Sequence, residues 1–420
     1  MDRIENERKE IRKMKNRIQM VHLSRPTENA SDVSLFGYKQ AERVNHFHSS
    51  FPEYSVTPLW VLKDLAAYTG VSGIYMKDES FRFGLNAFKV LGGSYAIGTY
   101  IAKELNIPKE ELSYRRLMDP EVRGAFGDRT FITATDGNHG RGVAWTAGRI
   151  GQKSVVYMPK GSAAERLENI RRLGAKASIT NLNYDESVRK AYTEAMEKGW
   201  IFVQDTAWDG YEEIPRHIMQ GYTTMAYEAY HQMEQGKLER PTHIFLQAGV
   251  GAMSGAVTGF FADVYGDGKE RPIVTVVEPE QAACIYRTAE ANDGKLYTVG
   301  GEMNTIMAGL ACGEPCTLGW EIMRVHADYF ASIPDEIAAD GMRVLGGPMG
   351  EDPRIVSGES GAAAFGFVFT LLTNPEYASL KSRLGLDENS RILCFSTEGD
   401  TDRENYRKIV WNGRYGTDKG

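Results

Sequence analysis

From Ile74 to Gly399 the chain alternates short runs rich in Val, Ile and Phe with longer helix-like stretches, and that alternation is its strongest constraint on fold. The runs are IYMKD, TFITATDG, KSVVYMP, KASITNL, WIFVQDT, THIFLQAG, PIVTVVEP and RILCFSTEG. Between them, helices are predicted over 87–105, from Gly140, over 163–173, 184–198 and 214–234, and after Gly251. Strands that alternate with helices call for a parallel sheet covered on both faces. Most of the runs lack polar alternation, as strands buried on both faces should. The fold class is therefore α/β, with two open, twisted, mostly parallel sheets flanked by helices. The chain leaves one unit near 83–86 and returns near 199–205, so 87–205 is expected to form a small α/β domain and 1–86 with 206–420 a large one. The first twenty residues, with Ile4, Ile11, Met14 and Ile18 spaced among charges, are expected to form a solvated helix. The stretch 293–349, rich in Gly, Cys, Pro and Met, is expected to be an irregular connection.

A length of 420 residues suits two such units. The net charge of −7 comes without a basic stripe or polybasic run, which excludes a nucleic-acid or anionic-membrane footprint. Small molecules and other copies of the chain are the expected partners. Only four cysteines occur, Cys284, Cys312, Cys316 and Cys394, so no disulfide framework is expected and a reducing, cytoplasmic setting fits. Neither the charged start nor the longest apolar run, 362–372, matches a signal peptide or a bilayer span of ~20 residues. Cys312 and Cys316 have three residues between them and no histidine nearby, so no metal site is expected.

Three segments carry chemistry. In KDESFRFGLNAFKVLGGS, Lys89 sits among Phe88, Val90 and Leu91 at a helix start, where desolvation favours a neutral, nucleophilic amine; the alternative is a lysine that snorkels from the helix surface. Lys77, beside Asp78 and Glu79, is expected to stay charged and solvated or salt-bridged. The turn Thr135-Asp136-Gly137-Asn138-His139, between a strand run and a helix, suits an anion cradle, or equally a plain N-cap. The loop Gly249-Val250-Gly251-Ala252-Met253 follows a buried strand and opens a helix; it suits phosphate binding or simply tight packing, and it lacks the Lys-Ser/Thr ending of a Walker loop.

In this order, and with Ser396-Thr397-Glu398-Gly399-Asp400 after the last strand run, these segments resemble the fold-type II pyridoxal-phosphate enzymes, from about Ser55 to Tyr406. Asp136, where dehydratases and racemases usually carry serine, makes the turn similar to that of the diaminopropionate ammonia-lyases. The run Asp205-Thr-Ala-Trp-Asp209 and the segment MAGLACGEP add to that likeness.

The resemblance implies that the cofactor, pyridoxal 5'-phosphate, lies between the domains. Lys89 would hold it covalently, Asn138 would bond its ring hydroxyl, and Gly249, Val250, Gly251, Ala252 and Met253 would bind its phosphate. Thr397, with Ser396 as fallback, would meet its ring nitrogen. It further implies α,β-elimination of ammonia from D- and L-2,3-diaminopropionate, giving pyruvate and two ammonia. In that scheme Lys89 and Asp136 are bases on opposite faces and Asp209 binds the leaving ammonium. His139 is expected to pack rather than to catalyse, and a homodimer is the family expectation. A serine or threonine dehydratase is the alternative within the family; a non-catalytic small-molecule binder is the alternative of another class.

Overall fold

The strands of the protein, a computed structural model in which residues 18–24, 32–135, 137–266, 268 and 271–416 are described, form two sheets. They are β1 (Gln19–His22), β2 (Leu59–Val61), β3 (Gly73–Asp78), β4 (Thr130–Ala134), β5 (Lys153–Met158), β6 (Lys176–Ile179), β7 (Ile201–Phe202), β8 (His243–Gln247), β9 (Ile273–Pro279), β10 (Tyr329–Ile333) and β11 (Arg391–Ser396). The large sheet runs β1-β10-β9-β8-β11-β3-β2 and the small one β6-β5-β4-β7. Every pairing is parallel except the two at the edges of the large sheet, β1 with β10 and β2 with β3. Central strands such as β3 and β8 are buried at every position, which accounts for the apolar runs Ile74–Met76 and Ile244–Leu246 within them.

Local chemistry sets the helix bounds. Asn183 and Glu186 form a reciprocal capping box that starts the helix Tyr184–Lys198, and Gly199 in the left-handed region ends it. The helix Val90–Glu104, which follows Lys89, is held at backbone contact by two others. A Cβ on Gly142 of the helix Asn138–Arg149 would lie 2.7 Å from Val90 Cα. A Cβ on Gly221 of the helix Glu213–Gln235 would lie 2.3 Å from the Leu91 carbonyl oxygen. Larger side chains at either position would displace the segment that carries Lys89.

The chain reaches that segment past a buried ionic cluster. Lys77 Nζ lies 2.7 Å from Glu228, Arg82 makes two bonds of 2.8 Å to the same carboxylate, and Arg82 Nε donates to Glu79 at 2.8 Å. Lys77 is thus salt-bridged and not solvated, being fully buried. With every charge paired, the cluster ties β3 to the long helix Glu213–Gln235.

Two expectations need correction. Residues 1–17, on which most of the expected N-terminal helix falls, lie outside the described residues, and at its far end Gln19–His22 is an edge strand, because Met20 turns inward against β10. The stretch 293–349 is irregular only in its first part. It then contains the helix Thr317–His326, the strand β10 and the helix Asp335–Gly346, whose buried Trp320, Met323, Phe330 and Met342 are diluted in the sequence by Gly, Ala and Cys.

Candidate active site

The segments singled out in the sequence leave the carboxyl ends of β3, β4, β7, β8 and β11, the side of an open parallel sheet where ligands bind. Lys89 precedes its helix and is pinned to the end of β11: Phe88 N–H donates to the Thr397 carbonyl at 3.0 Å and Ala87 bridges Glu398. One cavity is lined by Lys89, Asn138, Gly249, Val250, Gly251, Ala252, Met253 and Thr397, together with Asp205, Gln247 and Glu398. Eight residues expected to hold a cofactor therefore meet in one place. Asp136 lies outside the described residues.

Gly249 to Met253 form the turn into the helix Ala252–Tyr265, whose first N–H groups have no partner within the helix and face the cavity with its positive dipole end. Gly251 has φ +90°, and a Cβ there would come within 2.7 Å of Ile285 and Met323. Gly251→Ala is therefore expected to lower stability by about 1–2 kcal/mol and to weaken pyridoxal-phosphate binding, measured by thermal melting and by absorbance titration with the cofactor.

Gln247 Nε2 donates to the Thr397 hydroxyl at 2.8 Å and to the Phe395 carbonyl at 2.9 Å. An amide NH2 only donates, so Thr397 accepts here and keeps its own hydrogen for an acceptor such as a ring nitrogen. The buried Gln247 Oε1 has no hydrogen-bond partner among the described residues. Ser396 is turned to Ser357, 2.8 Å away, and does not line the cavity. Asn138 Nδ2 donates to Glu398 at 2.5 Å, and Glu398 stands beside Glu359, whose carboxyl is pushed up to about 7 by burial and by the Glu398 charge. A dipole-end cradle, the Gln247 amide oxygen, the Thr397 hydroxyl with a hydrogen to donate and a lysine in one cavity fit pyridoxal phosphate.

Sequence reasoning missed Asp205. Its Oδ2 accepts from Lys89 Nζ at 3.1 Å, with the aspartate almost wholly buried. Burial alone would raise its pKa, but the neighbouring Lys89 and His139 charges outweigh that and hold it down to about 2. Asp209, by contrast, is exposed on the turn between Trp208 and Tyr211 and does not line the cavity. His139 is buried and its Nε2 donates to the Val203 carbonyl at 2.9 Å, a packing role. All four cysteines are buried and none forms a disulfide among the described residues, and Cys312 lines the cavity.

The family model described as "Pyridoxal-phosphate dependent enzyme" matches residues 51–392. The chain is 50% identical over 383 residues to the diaminopropionate ammonia-lyase of Salmonella typhimurium, covering 91% of this chain and 94% of that one. It is similar to the holo crystal structure of the Escherichia coli diaminopropionate ammonia lyase, with TM-score 0.89 and 47% identity over 96% of this chain and 98% of that one. The same Escherichia coli enzyme in complex with D-serine gives TM-score 0.88 and 46% identity, covering 95% of this chain and 98% of that one.

Proposed function

The chain belongs to the pyridoxal-phosphate dependent enzymes and, within them, to the diaminopropionate ammonia-lyases, and from that premise we propose that it eliminates ammonia from both isomers of 2,3-diaminopropionate to give pyruvate and two ammonia. The observation that carries this reading is the Lys89–Asp205 pair inside the cofactor-shaped cavity. Bound pyridoxal phosphate supplies an electron sink that makes the α-proton removable. The chain supplies position and protons. Gly249 to Met253 would hold the phosphate, Asn138 the ring hydroxyl, and Thr397 would offer its hydroxyl hydrogen to the ring nitrogen. Lys89 would take the α-proton on its face. Asp205 is ionised at neutral pH, since its carboxyl is held near 2, and it accepts either the Lys89 ammonium or the substrate's β-ammonium. On this reading Asp205, and not Asp209, is the carboxylate that serves the leaving group.

Asp136 is the second base, acting on the D isomer from the opposite face. Asp136→Asn should shift the D/L ratio of kcat/KM by roughly 100-fold against the D isomer. Equal losses for both isomers would end the two-base reading. With a domain division at 87–205, the cofactor would lie in the cleft between the units. A homodimer in the cytoplasm follows from the family resemblance and from the cysteine count; sedimentation at twice the chain mass tests the first.

Purified protein loaded with pyridoxal phosphate is expected to form pyruvate from D- and L-2,3-diaminopropionate faster than from D- or L-serine. Faster 2-oxobutyrate formation from L-threonine would establish a dehydratase instead.

A further inference from the structure

Gln204 is fully buried just beyond β7, and its side-chain amide is bonded on every side. Oε1 accepts from the Thr133 hydroxyl at 2.9 Å and from the Ala134 backbone N–H at 3.2 Å, both on β4. Nε2 donates to Tyr184 Oη at 3.0 Å and to Asp205 Oδ1 at 3.2 Å. A backbone N–H can only donate, so the Ala134 contact fixes which end of the amide is oxygen and turns the NH2 toward Asp205. The main chain is held as well, since Gln204 N–H donates to Tyr211 Oη at 2.9 Å and that hydroxyl donates to the Phe202 carbonyl at 3.0 Å. Asp205 therefore has its two oxygens assigned: Oδ1 to Gln204, Oδ2 to Lys89.

We infer that Gln204 is a positioning residue of this site, anchoring Asp205 to β4 so that Oδ2 is presented to Lys89 as an ionised acceptor. The inference rests on the Lys89–Asp205 pairing proposed above. A carboxylate held at one oxygen cannot turn about its Cβ–Cγ bond, and losing that donor would leave a buried oxygen unpaired. Among the described residues, the titratable groups that face Asp205 are Lys89, His139 on the helix Asn138–Arg149, Tyr211 on the turn after β7 and Cys316 before the helix Thr317–His326, and Tyr184 faces the Gln204 amide itself.

Gln204→Glu tests it. The substitution keeps size and keeps an oxygen for Thr133 and Ala134, but it replaces the donor facing Asp205. Protonated, the introduced carboxyl still donates; ionised, it becomes a second anion at contact. The kcat/KM of the variant relative to the parent should therefore fall roughly 10- to 100-fold as pH rises through that ionisation. A second readout needs no turnover. In cofactor-free protein, the pH midpoint for acetylation of Lys89 by acetic anhydride, followed by peptide mass spectrometry, should move up, because a second anion then stands behind the carboxylate that faces the amine. A ratio constant across pH together with an unmoved midpoint would overturn the inference. If Gln204→Glu does not fold, Thr133→Val, which frees the amide from one of its two anchors, should lower kcat several-fold with KM unchanged, and parental kinetics would overturn the inference. Asp205→Asn is the reference. If it leaves Lys89 acetylation unmoved, the pairing itself fails and the inference with it; if it moves the midpoint and Gln204→Glu does not, only the role of Gln204 fails.

Discussion

Lys89→Ala is expected to depress kcat/KM for both isomers of 2,3-diaminopropionate by roughly 10²–10⁴-fold, the usual cost of removing a general base, with a further loss of cofactor retention. Lys89 is the lysine that lines the cavity, and its backbone is tied at Phe88 to the strand end that carries Thr397. Lys77 is locked in the Glu228 cluster. Borohydride reduction of the loaded protein followed by peptide mapping should therefore label Lys89; label on another lysine would sink the assignment. The alanine variant should also be less stable, because it leaves the buried Asp205 carboxylate without its cation. The double variant Lys89→Ala/Asp205→Asn separates the two effects: it should regain stability and stay inactive.

Much of this site was legible because its chemistry is local. A lysine among apolar residues, a Gly-rich strand-to-helix turn and an Asn-containing turn each declare themselves over a few positions, and the structure joins them because all follow strand ends. What the sequence did not declare are the residues whose importance comes from pairing across the fold. Gln247 matters because β8 lies beside β11, which brings its amide to Thr397. Glu398 matters because Asn138, 260 positions away in sequence, reaches it. Edge strands were equally hidden: β1 and β2 are short and partly exposed, so they lack the unbroken apolar run that marks β8. The helix Tyr184–Lys198, in contrast, was legible to the residue, since Asn183, Glu186 and Gly199 mark both its ends within the sequence itself. Asp205 and Asp209 show the same divide. Both lie in one short acidic run, and spacing alone does not choose between them. The strand-end rule favours Asp205, which follows the WIFVQ run directly, while Asp209 comes after a turn has carried the chain back to the surface.

Replacing each of the two aspartates by asparagine should separate them sharply. In Asp205→Asn the side chain keeps its size, and its Oδ1 can still accept from Gln204. The Gln204 contact then directs the new NH2 toward Lys89, so a donor faces a donor and the amine loses this acceptor. Turnover of both isomers should fall by about 10²-fold or more, because the loss concerns the amine and the leaving ammonium rather than one face of the substrate. The pH dependence of stability carries an independent signature. Asp205 is depressed to about 2 in the folded protein against about 4 for a free carboxyl, so its contribution is present above pH 4 and lost as pH falls toward 2. The asparagine variant should therefore lose less stability than the parent across that interval in acid titrations of thermal melting. Asp209→Asn, on an exposed turn, should leave both kinetics and acid stability near parental values. Parental kinetics for Asp205→Asn with a large loss for Asp209→Asn would return the leaving-group role to Asp209 and require the turn after Trp208 to fold over the cavity when substrate binds.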